Sequence, residues 1–298
     1  MISDDTEHTT MVAQSLLVGP ASPEIFQTAL AWKLRWWFAA LPAGVGLATA
    51  RAISKLWLGF PASCSGIASA GNGPAMRSAV IGVYFAHDPI RRRQFVEAST
   101  RLTHTDPRAF IGALAVAEMS AWVCSPQASS PMVVLQKLSD HPEWQKLMAE
   151  MDAAVGENLS VEAFAKRLGL ENGVTGYVFH TVPVTIYAWW RHRGDFRSAL
   201  EASLNCGGDT DTVGAITGAL AGADLGSDAI PDDLVVGIAE WPRSISWLRR
   251  LADKLGQQTN SESPLGETPL FWPALPVRNL WFLIVVLAHG FGRLIPGF

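Results

Sequence analysis

The stretch from Asn205 to Gly226, NCGGDTDTVGAITGALAGADLG, decides how the rest of the chain is read. After Asp209-Thr210-Asp211-Thr212, glycines recur at 214, 218, 222 and 226. A four-residue repeat lies on nearly one face of an α-helix, so the missing side chains predict a helix against which another packs closely. Thr212, Asp224 and Asp228 interrupt the apolar run, which assigns the spacing to a helical core in water rather than to a helix pair in lipid. Gly207 and Gly208 predict a tight backbone before Asp209, with the helix N-terminus near Thr212. A capping role accounts for Asp211 or Thr212 alone. The second carboxylate is left over, and two carboxylates this close repel unless a cation sits between them.

A matching acidic cluster, Ser3-Asp4-Asp5-Thr6-Glu7-His8, opens the chain. Alone it reads as a solvated end. Set against Asp209 and Asp211 it completes an oxygen-rich cage of carboxylates and hydroxyls, hard ligands that suit Mg²⁺, Mn²⁺ or Ca²⁺. The charge of four carboxylates matches two divalent ions.

Composition frames this reading. With 298 residues, 49% of them hydrophobic and 17% charged, the chain has material for a large core and does not read as disordered. Lys and Arg number 23 against 27 Asp and Glu, a net charge of −4, so no basic excess points to nucleic acid. Three cysteines cannot all pair, and Asp4, Asp5 and Glu7 stand where a signal peptide needs basic and apolar residues; a reducing, cytoplasmic setting is expected.

Apolar residues recur at three- and four-residue spacing and alternation is scarce, which predicts an all-α fold. Asp140, Pro142 and Glu143 form a capping-box arrangement, Asp106-Pro107 opens a helix running to Trp122, and Ser160 caps SVEAFAKRLGL with Gly169 as its stop. The residues after Gly169 supply no basic recognition helix, so this segment is structural. Trp36 and Trp37 after Arg35 are assigned to helix packing, with an acceptor platform as the alternative. The expected organisation is a body over 1–256, a linker or surface loop over 257–276, and an apolar C-terminal helix over 277–298. Its run LWFLIVVLA, Leu280 to Ala288, falls well short of the ~20 apolar residues of a membrane span. Burial of this helix is expected, with peripheral membrane contact as the alternative.

The two acidic motifs, in this order, resemble those of the ADP-ribosylglycohydrolase family. Ser69-Ala70-Gly71-Asn72-Gly73-Pro74-Ala75-Met76-Arg77 is similar to the family's Gly-Asn-Gly-x-x-Met-Arg segment. Thr103-His104-Thr105-Asp106-Pro107 is similar to its Thr-His segment, and Gly176-Tyr177-Val178 with Thr181-Val182-Pro183 to the stretch leading into the acidic helix. The resemblance implies a compact single-domain helical fold with a dinuclear centre of two Mg²⁺, Mn²⁺ being a substitute. Ser3, Asp4 and Asp5 would ligate from one side and Asp209, Asp211 and Thr212 from the other; Ser3 stands where many members have Thr. Ser69, Gly71, Asn72, Gly73, Met76 and His104 would contact substrate. Backbone amides of a glycine turn can reach a diphosphate, and Asn72 offers both donor and acceptor.

The implied reaction is hydrolysis of the bond between ADP-ribose and a protein side chain or small acceptor, with Asp4 and Asp5 positioning and activating water. Partners would be an ADP-ribosylated protein or a small ADP-ribose conjugate. Family members carry an upstream segment with a Gly-Asp-Ala-Leu-Gly-like motif and a nearby glutamate, whereas this chain starts two residues before the acidic motif. The expectation is that this segment is lacking, and a catalytically impaired ADP-ribose-binding protein is the alternative function. A cysteine hydrolase built on Cys206 with His180 or His104 is a remote option, since nothing local to Cys206 would hold a thiolate.

Overall fold

Serine and aspartate at the ends of loops start most of the helices of the protein, seen in a computed structural model that describes residues 1–124, 129–261 and 263–292. Ser22, Asp88, Ser130, Ser160, Asp195 and Ser244 each accept a bond from the backbone N–H three residues on. Three of them are followed by proline, whose fixed φ and missing N–H suit the first helical position.

Fifteen α-helices result among the described residues. The first eight are α1 (Asp4–Val18), α2 (Pro23–Ala39), α3 (Leu47–Trp57), α4 (Ala79–Tyr84), α5 (Pro89–Arg101), α6 (Pro107–Cys124), α7 (Pro131–Gln136) and α8 (Pro142–Gly156). They are followed by α9 (Val161–Arg167), α10 (Val178–Arg191), α11 (Phe196–Leu204), α12 (Thr210–Leu225), α13 (Asp232–Val236), α14 (Ile245–Gln258) and α15 (Ala274–Gly292). No strand longer than an isolated bridge is present among those residues, as the apolar spacing predicts.

Helices α6 and α10 are apolar around most of their circumference, and both are correspondingly buried at the centre. At Gly82 of α4 a Cβ would lie 2.1 Å from Ser120 Oγ and 2.2 Å from Ala117 O, so α4 meets α6 backbone to backbone. Trp37, Trp144 and Trp189 are fully buried, and truncating any of them to alanine would cost about 3–5 kcal/mol.

Three local expectations need correction. Asp140 does not cap α8: the cap position is His141 without a side-chain bond, and Glu143 is engaged instead by the Tyr177 hydroxyl at 2.7 Å. The glycine face of α12 packs closely only in its first half. Gly214 faces Leu204 and Leu200, and Gly218 faces Phe196 of α11, while Gly222 has no neighbour within 4 Å and Gly226, at φ +83°, terminates the helix.

The third correction concerns the C-terminus. A strap after α14 hugs the body, with Gln14 and Thr268 exchanging two bonds of 2.7 Å and Lys33 paired to Glu267. It leads into α15, whose first turns bury Ala274, Leu275, Arg278 and Asn279. Beyond Asn279 the helix finds little to cover it: Leu280, Trp281, Leu283, Ile284, Val286 and Leu287 are 40–61% exposed. The anticipated burial of this helix therefore stops at its second turn. Among the described residues no helix is long and apolar enough to cross a membrane. The remainder of the 277–298 segment, including Arg293, lies outside the described residues.

Candidate active site

Four loops carrying the sequence motifs converge on one cleft, stitched by a set of backbone bonds. Ile67 N donates to Thr103 O at 3.0 Å and Thr105 N to Ile67 O at 2.9 Å. Asn72 N donates to Gly176 O at 3.0 Å, and Val178 N to Ala70 O at 2.9 Å. Val174 N donates to Gly207 O at 3.0 Å, and Asp209 N to Val174 O at 2.7 Å. Gly208 makes the last pair reachable: at φ +82° its Cβ position lies 2.0 Å from Val174 O, a place where no side chain fits.

The cleft holds about 360 Å³ and is lined by Asp4, Ser69, Gly71, Asn72, Gly73, Met76, His104, Asp209, Asp211 and Thr212. A larger groove of about 630 Å³ runs along the outer side of α2, beside Trp32, Trp36 and Trp272, and contains none of the motif residues. Ser3 and Asp5 stand just behind the cleft wall, Ser3 at the N-cap of α1 and its hydroxyl donating to Asp5 Oδ2 at 2.8 Å. All twelve positions singled out in the sequence are thus brought to one place.

Asp4, Asp5 and Asp211 each present a carboxylate oxygen within 4.8 Å of the other two. Asp209 lines the same cleft and is held by Asn72, whose Nδ2 donates to Asp209 Oδ2 at 2.7 Å and to Thr181 Oγ1 at 3.0 Å. The four carboxylates therefore form a triad and a neighbour. Burial, reinforced by the charges of Asp5 and Asp211, pushes Asp4 up to about 7. Burial and the Asp211 side chain push Asp209 up to about 6. Burial also raises Asp5, against the pull of hydroxyl bonds from Ser3 and Thr212. Asp5 Oδ1 is buried with no hydrogen-bond partner. A hard cation would satisfy that oxygen and relieve the repulsion, so the donor set fits a magnesium-like ion.

His104 also lines the cleft, buried beside the Arg77 guanidinium. Burial and the Arg77 guanidinium bring His104 down to about 3, which leaves the ring neutral. Arg77 Nη2 donates to Thr103 Oγ1 at 2.8 Å, and Thr103 Oγ1 lies 2.9 Å from His104 Nδ1. The Thr103 hydroxyl can accept from the arginine and still either donate to Nδ1 or accept from it, so this contact fixes the ring's orientation and leaves two tautomers open. Nε2 faces Gly71 and Gly73: a Cβ on Gly71 would lie 3.0 Å from it. The same arginine reaches α1, its Nη1 standing 2.9 Å from His8 Nδ1.

Sequence reasoning missed the third wall, formed by Gly44, Gly46 and Thr49 ahead of and within α3, and Gly176 on the floor. The Gly44-Val45-Gly46 pair after Pro42 is a turn signal that could have marked this wall; nothing local marks Thr49. Two alternatives recede. Trp37 is core, with its Nε1 donating to Glu7 Oε2 at 2.6 Å, and only Trp36 is exposed, edge-on to Trp57. Cys206 lies outside the cleft, its thiol donating to Ala202 O, and burial pushes it up to about 11.

The geometry describes a helical protein with an acidic centre facing a glycine-lined wall. Comparison with known proteins gives that class a family: residues 1–264 match ADP-ribosylglycohydrolase, and the chain belongs to that family of glycohydrolases. An uncharacterized protein of Archaeoglobus fulgidus is 31% identical over 85% of this chain and 79% of its own. The ADP-ribosylhydrolase ARH3 of Mus musculus is 27% identical, covering 77% of this chain and 71% of its own. The ADP-ribosyl-[dinitrogen reductase] glycohydrolase of Rhodospirillum rubrum is 25% identical over the same shares. A solved structure, an ADP-ribosylglycohydrolase-related protein complex, superposes with TM-score 0.63 at 26% identity, covering 87% of this chain and 82% of that one.

Proposed function

We propose that the chain is a metal-dependent hydrolase that cleaves the glycosidic bond between ADP-ribose and a modified protein side chain or small acceptor. The observation that carries this reading is the buried, partnerless Asp5 Oδ1 where three carboxylates meet at the edge of the cleft. Ser3, Asp4, Asp5, Asp209, Asp211 and Thr212 would hold two Mg²⁺, with Mn²⁺ as a substitute. Such ions supply Lewis acidity and a water of lowered pKa.

The chain's own residues supply the rest. Asp4 and Asp5 position and activate the attacking water. The backbone from Ser69 to Gly73 faces the diphosphate, beside Met76, and the neutral His104, in the tautomer with its proton on Nε2, offers that N–H to a phosphate or ribose oxygen. Asn72 keeps Asp209 facing the sugar by its 2.7 Å bond. Release of ADP-ribose from arginine- and serine-linked substrates should require Mg²⁺ and stop in EDTA; full activity in EDTA overturns the reading. Binding of ADP-ribose without release in a single turnover would instead identify a non-catalytic ADP-ribose-binding protein.

The three cysteines are all free, which accords with a reducing, cytoplasmic setting. The exposed apolar side chains of α15 are the observation that supports peripheral contact with a lipid surface. Sedimentation with phosphatidylglycerol vesicles, lost on deleting residues 280–298, tests that contact.

A further inference from the structure

The residues that hold the acidic motif in place come from the far end of the chain. Ile2, immediately before Ser3-Asp4-Asp5, has both backbone groups taken: its N–H donates to Glu240 Oε2 at 3.1 Å, and its carbonyl accepts from Arg278 Nη2 at 2.6 Å. Arg278 grips Glu240 with two further bonds, Nε to Oε1 at 2.9 Å and Nη2 to Oε2 at 2.8 Å. This is a planar fork that fixes direction as well as distance. Both side chains are buried, at 6% and 0% exposure.

The neighbouring residue reaches the opposite wall. Arg278 Nη1 donates to Asn279 Oδ1 at 3.1 Å, which orients the amide so that Asn279 Nδ2 donates to Ala40 O at 2.8 Å. Ala40 closes α2 and leads directly into the segment of Gly44 and Gly46. That segment stands close to the acidic motif, since a Cβ on Gly44 would lie 3.7 Å from Asp4 Oδ1. Two consecutive residues of α15 thus tie the α1 wall to the α3 wall. Glu7, 2% exposed, is paired with Arg243 at 2.6 Å and lies 3.5 Å from Arg278, so two buried anions and two buried cations balance next to the carboxylate triad.

We propose that Arg278 and Asn279 are positioning residues: a clamp, built from the segment beyond the family match at residue 264, that sets the separation of Asp4 and Asp5 from the Gly44 wall and thereby the affinity for divalent ions. The proposal rests on the metal-binding reading above. It predicts that loosening the clamp changes metal binding before it changes folding, because groups that orient metal ligands typically contribute roughly ten-fold or more to affinity.

The test uses the full chain with Arg278→Lys and with Asn279→Ala. Arg92→Lys serves as control, since the Arg92–Glu118 pair is similarly buried and bidentate but remote from the cleft. Mg²⁺ affinity is read by calorimetric titration, and hydrogen exchange is read at residues 2–6 and 40–46. The expected result is Mg²⁺ binding weakened roughly ten-fold in both clamp variants, with faster exchange in both segments, while the control melts earlier but binds Mg²⁺ normally. Clamp variants that lose thermal stability yet keep wild-type Mg²⁺ affinity overturn the proposal. Should the wild-type chain bind no Mg²⁺, the metal reading fails, and exchange alone decides the clamp: unchanged protection of both segments in both variants overturns it, and faster exchange supports it.

Discussion

Replacing Asp4 by asparagine should stabilise the metal-free protein at neutral pH while removing its response to magnesium. Burial and two neighbouring carboxylates raise Asp4 from an ordinary 3.8 to about 7. The folded state therefore binds the Asp4 proton more tightly than the unfolded state, and stability falls as pH climbs from about 4 to about 7. Three pKa units at 1.36 kcal/mol each place the loss at about 4 kcal/mol by pH 8, shrinking to below about 1 kcal/mol near pH 4. The asparagine side chain has the same shape and no charge, so the D4N variant escapes this loss. At roughly 1.6 °C per kcal/mol for a domain of this size, D4N should melt about 6 °C above the wild type in EDTA at pH 8. The gap should nearly close at pH 4. Excess Mg²⁺ should then raise the wild-type midpoint through preferential binding to the folded state and leave D4N unmoved. Differential scanning fluorimetry across pH, with EDTA or Mg²⁺, measures all three quantities. A D4N protein less stable than wild type in EDTA at pH 8, or a gap independent of pH, would refute the electrostatic argument.

Further outcomes follow from the His104 side of the cleft and its floor. Thr103→Val removes the hydroxyl that holds His104 Nδ1 and should weaken ADP-ribose binding about ten-fold, whereas Thr103→Ser should not; ring ¹⁵N shifts of His104 report the tautomer directly. Gly71→Ala places a methyl 3.0 Å from His104 Nε2 and should weaken ADP-ribose binding by about ten-fold or more with little change in melting, which titration and fluorimetry can check together. Gly208→Ala combines a positive φ with a Cβ 2.0 Å from Val174 O, so urea denaturation should show a loss of about 2 kcal/mol or more; an unchanged midpoint would contradict the backbone reading.

The helical class was legible because α6, α10 and α12 carry their apolar residues at helical spacing over long runs. Both acidic clusters were legible as a pair because repelling carboxylates need an explanation wherever they occur. Their convergence is a property of loop closure over two hundred residues, which no local pattern records and which the family resemblance supplied. Thr49 went unseen for the same reason: it enters the cleft from the first turn of α3, where an isolated hydroxyl looks like any surface threonine. Glu7 sat in plain view within the acidic motif, yet its role depends on Arg243 and Arg278, partners some 240 and 270 positions away. Glu143 shows how tertiary structure overrides a local rule, since Tyr177 draws it out of a capping box that its spacing predicts.

The stitches between the motif loops join main-chain atoms, apart from the side-chain bonds made by Asn72 and Arg77. Side chains at Ser69 or Thr49 can therefore be exchanged without cutting any bond between those loops. Such a floor separates two burdens that most active sites carry together: holding shape, and choosing a ligand. Libraries randomised at those two positions should retain folded members at high frequency while their preference among ADP-ribose conjugates diverges, so the scaffold offers a starting point for directed evolution toward new linkages.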